Sequence, residues 1–155
     1  IPPNMFQNPA YVSTAFLTVL ILFLLFRRWP FLLEKRYLES YEKIMNILDA
    51  IGLGAFTVTG IDTGIKSGYN EFYFLIIFLG VITGIGGGIL RDIMVGETPF
   101  VLRKHIYACA SISGACLHVL LLQFIPSNYA MLLGALLIIM IRILASHYRW
   151  NLPSV

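Results

Sequence analysis

Phe72-Tyr73-Phe74-Leu75-Ile76-Ile77-Phe78-Leu79-Gly80-Val81-Ile82-Thr83-Gly84-Ile85-Gly86-Gly87-Gly88-Ile89-Leu90 contains no charged residue. As an α-helix it advances about 1.5 Å per residue, which carries it across the roughly 30 Å of bilayer hydrocarbon. The rest of the chain has the same character. Of its 155 residues 58% are hydrophobic and 12% charged, against about a quarter charged in a soluble domain. The apolar residues come in blocks long enough to span, so the solvent for this fold is lipid.

Four more blocks join the first. Span A covers 10–26 and ends at Arg27-Arg28-Trp29-Pro30, a basic and aromatic interface anchor followed by a helix stop. Span B, 44–65, carries Asn46, Asp49 and Asp62 among glycines and threonines. Span C is the opening run, 72–90; span D is 106–125, closing at Pro126-Ser127-Asn128; and span E is 129–145, with Arg142 placed to snorkel toward headgroups. The expected class is therefore an all-α membrane protein with five transmembrane helices.

Loop charge orients the spans. Arg27, Arg28, Lys35, Arg36 and Lys43 lie between A and B; Arg91, Arg103 and Lys104 lie between C and D; His147 and Arg149 follow E. The B–C loop offers only Lys66, and D–E has no charge. Basic loops alternate with neutral ones, as a threaded bundle requires, which puts A–B, C–D and the C-terminus in the cytoplasm of a multi-pass plasma-membrane protein. With a net charge of +3 divided among short juxtamembrane clusters, the pattern is not a nucleic-acid footprint. Cys109 and Cys116 share one helix face and cannot bridge each other. Neither a metal-ligand set nor an enzyme's nucleophile–base arrangement can be assembled, and no cofactor is expected. Ile1-Pro2-Pro3 lacks an initiating Met and a basic leader, so the expectation is a piece of a longer chain.

Pro3, Phe6 and Tyr11 correspond at a constant offset to Pro99, Leu102 and Tyr107, each set leading into an apolar helix. Residues 1–28 then read as the end of a first repeat, 29–43 as a cytoplasmic linker, 44–125 as a complete second repeat of three spans, 129–147 as a final helix and 148–155 as a tail. A repeat with an odd number of spans enters the membrane inverted in its second copy, a plan common among transporters and some channels.

Candidate functional residues concentrate in B, C and D. Gly80, Gly84 and Gly88 recur on one face of C, the spacing of close helix packing. Gly86, Gly87 and Gly88 in succession each cost roughly 1 kcal/mol against alanine, which points instead to a kink whose freed backbone groups border water. Both readings stand at this point. Arg91 and Asp92 follow at once. Asp49, a turn inside the cytoplasmic end of B, should pair with Arg91, forming a structural tie that becomes a gate if the glycine break moves. Asp62 belongs at the opposite interface. Thr57 and Thr59 either line a polar path or bond back to their own helix. Span D carries Tyr107, Ser111, Ser113, Gly114 and His118, and His118 is expected to hydrogen-bond a neighbour.

Gly86-Gly87-Gly88-Ile89-Leu90-Arg91-Asp92, with Pro99, Leu102-Arg103-Lys104, Tyr107-Ala108 and the upstream Asp49-x-x-Gly52-x-x-Ala55-Phe56, resembles the second repeat of prokaryotic trimeric intracellular cation (TRIC) channels, a domain also labelled glycine transporter. The resemblance covers roughly 44–125. It implies a seven-helix bundle of two inverted three-helix repeats plus a last helix, in a homotrimer with one pore per subunit. A would be the third helix, B to D the second repeat and E the seventh, with the first two helices missing from this chain. It further implies a pore lined at broken glycine helices, here Gly84, Gly86, Gly87 and Gly88, with potassium or sodium as the permeant ion. Glycine or a similar solute is the substrate if the domain is a secondary transporter. The phosphoinositide-binding basic pattern of the animal members is not evident in span B.

Overall fold

The computed structural model describes residues 9–28, 35–103 and 106–148. Among these residues there are six α-helices and no strand: α1 (Pro9–Arg28), α2 (Lys35–Gly64), α3 (Tyr73–Val95), α4 (Phe100–Arg103), α5 (Ile106–Leu121) and α6 (Ser127–His147). One π-helical turn, Ile65–Tyr69, extends α2. Lys43–Tyr69, Tyr73–Val95 and Ser127–His147 are long and apolar enough to cross a membrane, while Val12–Leu25 and Ile106–Leu121 are shorter apolar helices. The protein is an all-α membrane protein. Pro3 and Phe6 of the repeat, residues 29–34 of the A–B linker, Lys104 and the tail beyond Tyr148 lie outside the described residues.

The chain divides into two compact units, Ile1–Lys43 and Ile44–Val155. In the first, α1 exposes Phe16, Val19, Ile21, Phe23 and Leu24. Apolar surface all round a helix is the mark of a lipid-embedded element. Thr14 and Thr18 hide their hydroxyls on the carbonyls of Ala10 and Thr14, which lets threonine sit in hydrocarbon.

In the second unit, small residues set the helix spacing. A Cβ on Gly80 would come 2.5 Å from Ile61 Cγ1 and 2.7 Å from the Thr57 carbonyl oxygen, and one on Gly60 would lie 2.9 Å from the Gly80 Cα. On Gly84 it would collide with Thr57 Oγ1. These contacts bring α2 and α3 backbone to backbone. Gly114 meets Ile138 and the Gly134 carbonyl across α5 and α6, and Gly54 meets the Ala135 carbonyl across α2 and α6. In lipid no hydrophobic drive separates helix faces from solvent, so close van der Waals approach of this kind is what associates them. Leu53, Ile85, Tyr107, Ala110 and Ile138 form one buried cluster, and Ile61, Ile76, Ala115 and Val119 a second.

The expected kink in C is corrected by this packing. α3 is one α-helix from Tyr73 to Val95, and the only glycines in the left-handed region among the described residues are Gly68 and Gly96. The propensity cost of the glycines is outweighed by the approach that Gly80 and Gly84 permit, so the small-residue reading holds for that face. Several boundaries also move. α3 continues past Leu90, so Arg91 and Asp92 lie inside its last turns rather than after it. Gly96, with φ 77°, ends the helix, and Gly96 and Glu97 donate to the carbonyls of Ile93 and Asp92. α5 stops at Leu121, before the end expected for D. α2 begins at Lys35, well ahead of span B.

Thr57 and Ser111, both fully buried, share a 2.9 Å hydrogen bond between α2 and α5. Thr57→Val strands the Ser111 hydroxyl and should cost about 1–2 kcal/mol, whereas Thr57→Val with Ser111→Ala should recover most of that loss. Thermal unfolding in detergent micelles measures both.

Candidate functional site

A charged network occupies the end of the bundle where α2, α3, α4, α5 and α6 meet. Asp49, on α2, has a side chain 14% exposed. Its Oδ1 accepts from Arg91 Nη1 at 3.1 Å, and its Oδ2 from Arg142 Nη2 at 3.2 Å. Arg91 Nε donates to Asp92 Oδ1 at 3.0 Å, and Asp92 Oδ2 accepts the Phe100 backbone N–H at 2.7 Å. Asp92 thereby ties the last turns of α3 to the first residue of α4. Two carboxylates and two guanidiniums balance, the condition under which charge survives removal from water.

The two arginines differ in setting. Arg91 is 45% exposed, while Arg142 is 5% exposed. The Arg142 guanidinium lies over the rings of Tyr107 and Phe100, at 4.5 and 5.1 Å from their centroids, and those rings meet edge to face at 5.8 Å. Faces of aromatic rings stabilise a desolvated cation. Asp49 is thus held by one buried and one accessible cation, and only the accessible one can leave without stranding charge in the core.

The Asp49–Arg91 pair read from the sequence is present. The snorkelling role for Arg142 is corrected, because its guanidinium turns inward and Asp49 holds it there. A signal for this was available: Ala130, Gly134, Ile138, Arg142 and Ala145, all buried, repeat along one stripe of α6. Phe100 was also missed, because its contribution is a backbone N–H and a ring face on a short helix that periodicity does not reveal. Asp62 pairs with Lys66 at 2.6 Å, with Lys66 75% exposed. His118 does not bond a neighbour as expected, for neither ring nitrogen has a partner among the described residues.

The remaining candidates separate by face. Gly84 is packed against Thr57, and a Cβ on Gly88 would sit 3.0 Å from the Tyr107 hydroxyl. Around Gly86 and Gly87 a Cβ would meet nothing within 4 Å. Thr57 faces Ser111, and exposed Thr59 bonds back to the Ala55 carbonyl at 2.7 Å. Tyr107 is buried in the ion network.

Apolar helices joined by glycine contacts and tied at one end by an internal ion network define a polytopic membrane protein. Residues 46–123 match the family described as glycine transporter, and the chain belongs to that family. It is 31% identical to the UPF0126 membrane protein YvgT of Bacillus subtilis, over 97% of this chain and 68% of that protein. Against the UPF0126 inner membrane protein YadS of Escherichia coli K12 it is 31% identical, over 96% and 68%. A Vibrio cholerae UPF0126 membrane protein is 38% identical over 72% of this chain, and the match takes in 46% of that relative, less than half its length. Among solved structures, a TRIC cation channel studied for its conductance superposes with a TM-score of 0.78 at 31% identity, over 99% of this chain and 71% of that one. A prokaryotic TRIC channel crystallised in 0.5 M KCl gives 0.78 at 27% identity, over 97% and 72%.

Proposed function

We propose that the protein of which these residues form part is a monovalent cation channel of the TRIC type, passing potassium across the plasma membrane as a homotrimer. The likeness to two TRIC channel structures along nearly the whole chain supports this reading. The observation that carries the path is the surface beside the α2–α3 seam. At about 100° per residue, Gly52, Ala55 and Thr59 of α2 and Thr83, Gly86 and Gly87 of α3 fall on the arcs next to the Gly60–Thr83 contact. They lie on the side of α2 turned from the Thr57–Ser111 bond. There glycines, an alanine and threonines leave stretches of backbone accessible beside the exposed side chains of Phe56 and Leu90, without any break in the helix. With its backbone hydrogen bonds made within the helix, this surface frees no polar group that demands water; what it supplies is room beside the two helices.

In this reading residues 1–28 end a first inverted repeat, 44–125 are the second repeat and 129–147 the last helix of a seven-helix bundle, with the C-terminus cytoplasmic. The Asp49–Arg91–Asp92–Arg142 network closes the cytoplasmic end of the path. Full-length protein in liposomes should release potassium down its gradient well above empty vesicles and without saturation at modest concentration. Flux equal to that of empty vesicles at every imposed voltage contradicts a channel. The family's description favours one further reading, a secondary transporter for glycine or a similar small solute. That alternative is recognised by saturable, substrate-specific uptake in the same vesicles.

A further inference from the structure

At the other end of the bundle from the ion network's arginines, His118 of α5 is wholly buried, with Nδ1 and Nε2 both unpartnered among the described residues. An imidazole always presents at least one N–H, and a buried polar group with no partner calls for a missing ligand, an ion or water. The two helices approach closely at this point: a Cβ on Gly134 of α6 would come 2.9 Å from the His118 Cβ. Room for water lies close by. Val119, the next residue, and Leu122, one turn further along the face of His118, line a 260 Å³ cavity with Ile65, Ile76, Asn70 and Gln123.

Charged groups around the ring are few. On α2 Asp62 follows Ile61, which packs in one cluster with Ala115 and Val119 of α5 on either side of His118 in sequence, and Asp62 is itself held by Lys66. On α6 the titratable groups Tyr129 and Arg142 lie more than a helical turn to either side of Gly134, and α3 carries Tyr73, Arg91 and Asp92 at its two ends. The other titratable groups of α5 are Tyr107, in the ion network, and the exposed Cys109 and Cys116.

We propose that His118 is a proton-binding site, reached by water from the cavity at the α2–α3 and α5–α6 turns, with Asp62 as its counter-charge. The proton comes from bulk water and adds to the unshared pair of the neutral ring, and no bond breaks in the protein. A charged ring draws Asp62 from Lys66, whose exposed ammonium loses little on returning to solvent. The exchange loosens the His118–Gly134 contact and so couples proton binding to the spacing of α5 and α6. Imidazole is the side chain suited to such a change between pH 5 and 8.

Protonation is read directly by NMR of the full-length protein with isotope-labelled histidine in detergent, the His118 signal being identified as the one lost in His118→Gln. His118 ring resonances should titrate between pH 5 and 8, and Asp62→Asn should move that titration. A ring that does not titrate in that range, or one that titrates indifferently to Asp62→Asn, overturns the proposal. Its consequence for flux rests on the permeation reading above, whereas protonation itself does not. In liposomes, potassium flux through the wild type should differ by about fivefold or more between pH 8 and pH 5, the scale of ordinary site-to-site coupling. Flux through His118→Gln and Asp62→Asn should lose most of that dependence. Equal pH dependence in wild type and both variants would overturn the coupling. Absence of flux at every pH would contradict permeation, leaving the NMR result to decide protonation.

Discussion

Asp49→Ala is expected to destabilise the protein by about 3–5 kcal/mol, the cost of leaving a buried cation without its partner. Arg142 is 5% exposed and its Nη2 bonds to Asp49 Oδ2. Among the described residues its Nε has no hydrogen-bond partner, so the Asp49 carboxylate is the principal compensation for burying the charge. Ring faces of Tyr107 and Phe100 soften the loss without removing it. Arg91→Gln removes the other arm of the same carboxylate, yet Arg91 is 45% exposed and water replaces the lost partner. Its effect should stay within about 1 kcal/mol. Asp49→Leu with Arg142→Leu should regain much of the loss from Asp49→Ala, because deleting both charges removes the desolvation cost along with the attraction. Thermal unfolding of the three variants beside the wild type in one detergent gives the order. Equal losses for Asp49→Ala and Arg91→Gln would show that the carboxylate is not committed to the buried arginine.

The second large effect divides the glycines of α3 by face. Gly84→Ala places a methyl group on Thr57 Oγ1 and within 3.1 Å of the Leu53 carbonyl oxygen, and backbone on that side cannot give way. Forced separation of α2 and α3 should cost about 1–3 kcal/mol. It also endangers the Thr57–Ser111 bond beneath. Gly87→Ala meets nothing within 4 Å and should stabilise the helix by roughly 1 kcal/mol. Opposite signs three residues apart on one helix are the signature of packing on one face and open space on the other. If both substitutions destabilise, the face at Gly87 is closed by protein that the stretch described here does not include.

What was legible in the sequence follows from what each signal measures. Apolar runs report length in hydrocarbon, so all five were found as apolar helices, three of them long enough to cross a membrane, but their ends were not. Arg91-Asp92 looked like a terminus because charge normally leaves the membrane there, whereas the helix runs on to Val95 with Arg91 paired to Asp49 and Asp92, and Asp92 also accepting the Phe100 N–H. Gly86-Gly87-Gly88 looked like a break because helix propensity counts one helix alone. The cost remains, and the close contact of Gly80 and Gly84 with Thr57 and Ile61 outweighs it. Arg142 was read as an interface residue because its depth was judged from the nearest end of the span. The stripe it shares with Gly134 and Ile138 carried the contrary information. Pairing Asp49 with Arg91 succeeded because depth from the cytoplasmic side and opposite charge left few alternatives. The second guanidinium on the same carboxylate needed the relative rotation of α2 and α6, which no linear pattern encodes.

The permeation reading depends most on whether the bare surface at Gly86 and Gly87 is wet. Full-length protein with Cys109 and Cys116 replaced by serine, carrying Gly87→Cys or Leu136→Cys, can be exposed in liposomes to a membrane-impermeant cationic thiol reagent. Leu136 lies on an exposed apolar face of α6 with Leu132, Met140 and Ile143. The expected result is rapid modification of Gly87→Cys, slowed by high potassium, with Leu136→Cys inert. A Gly87→Cys thiol as unreactive as the one at Leu136, in protein shown to be folded, would mean that lipid or packed protein covers those carbonyls and that ions do not pass beside them.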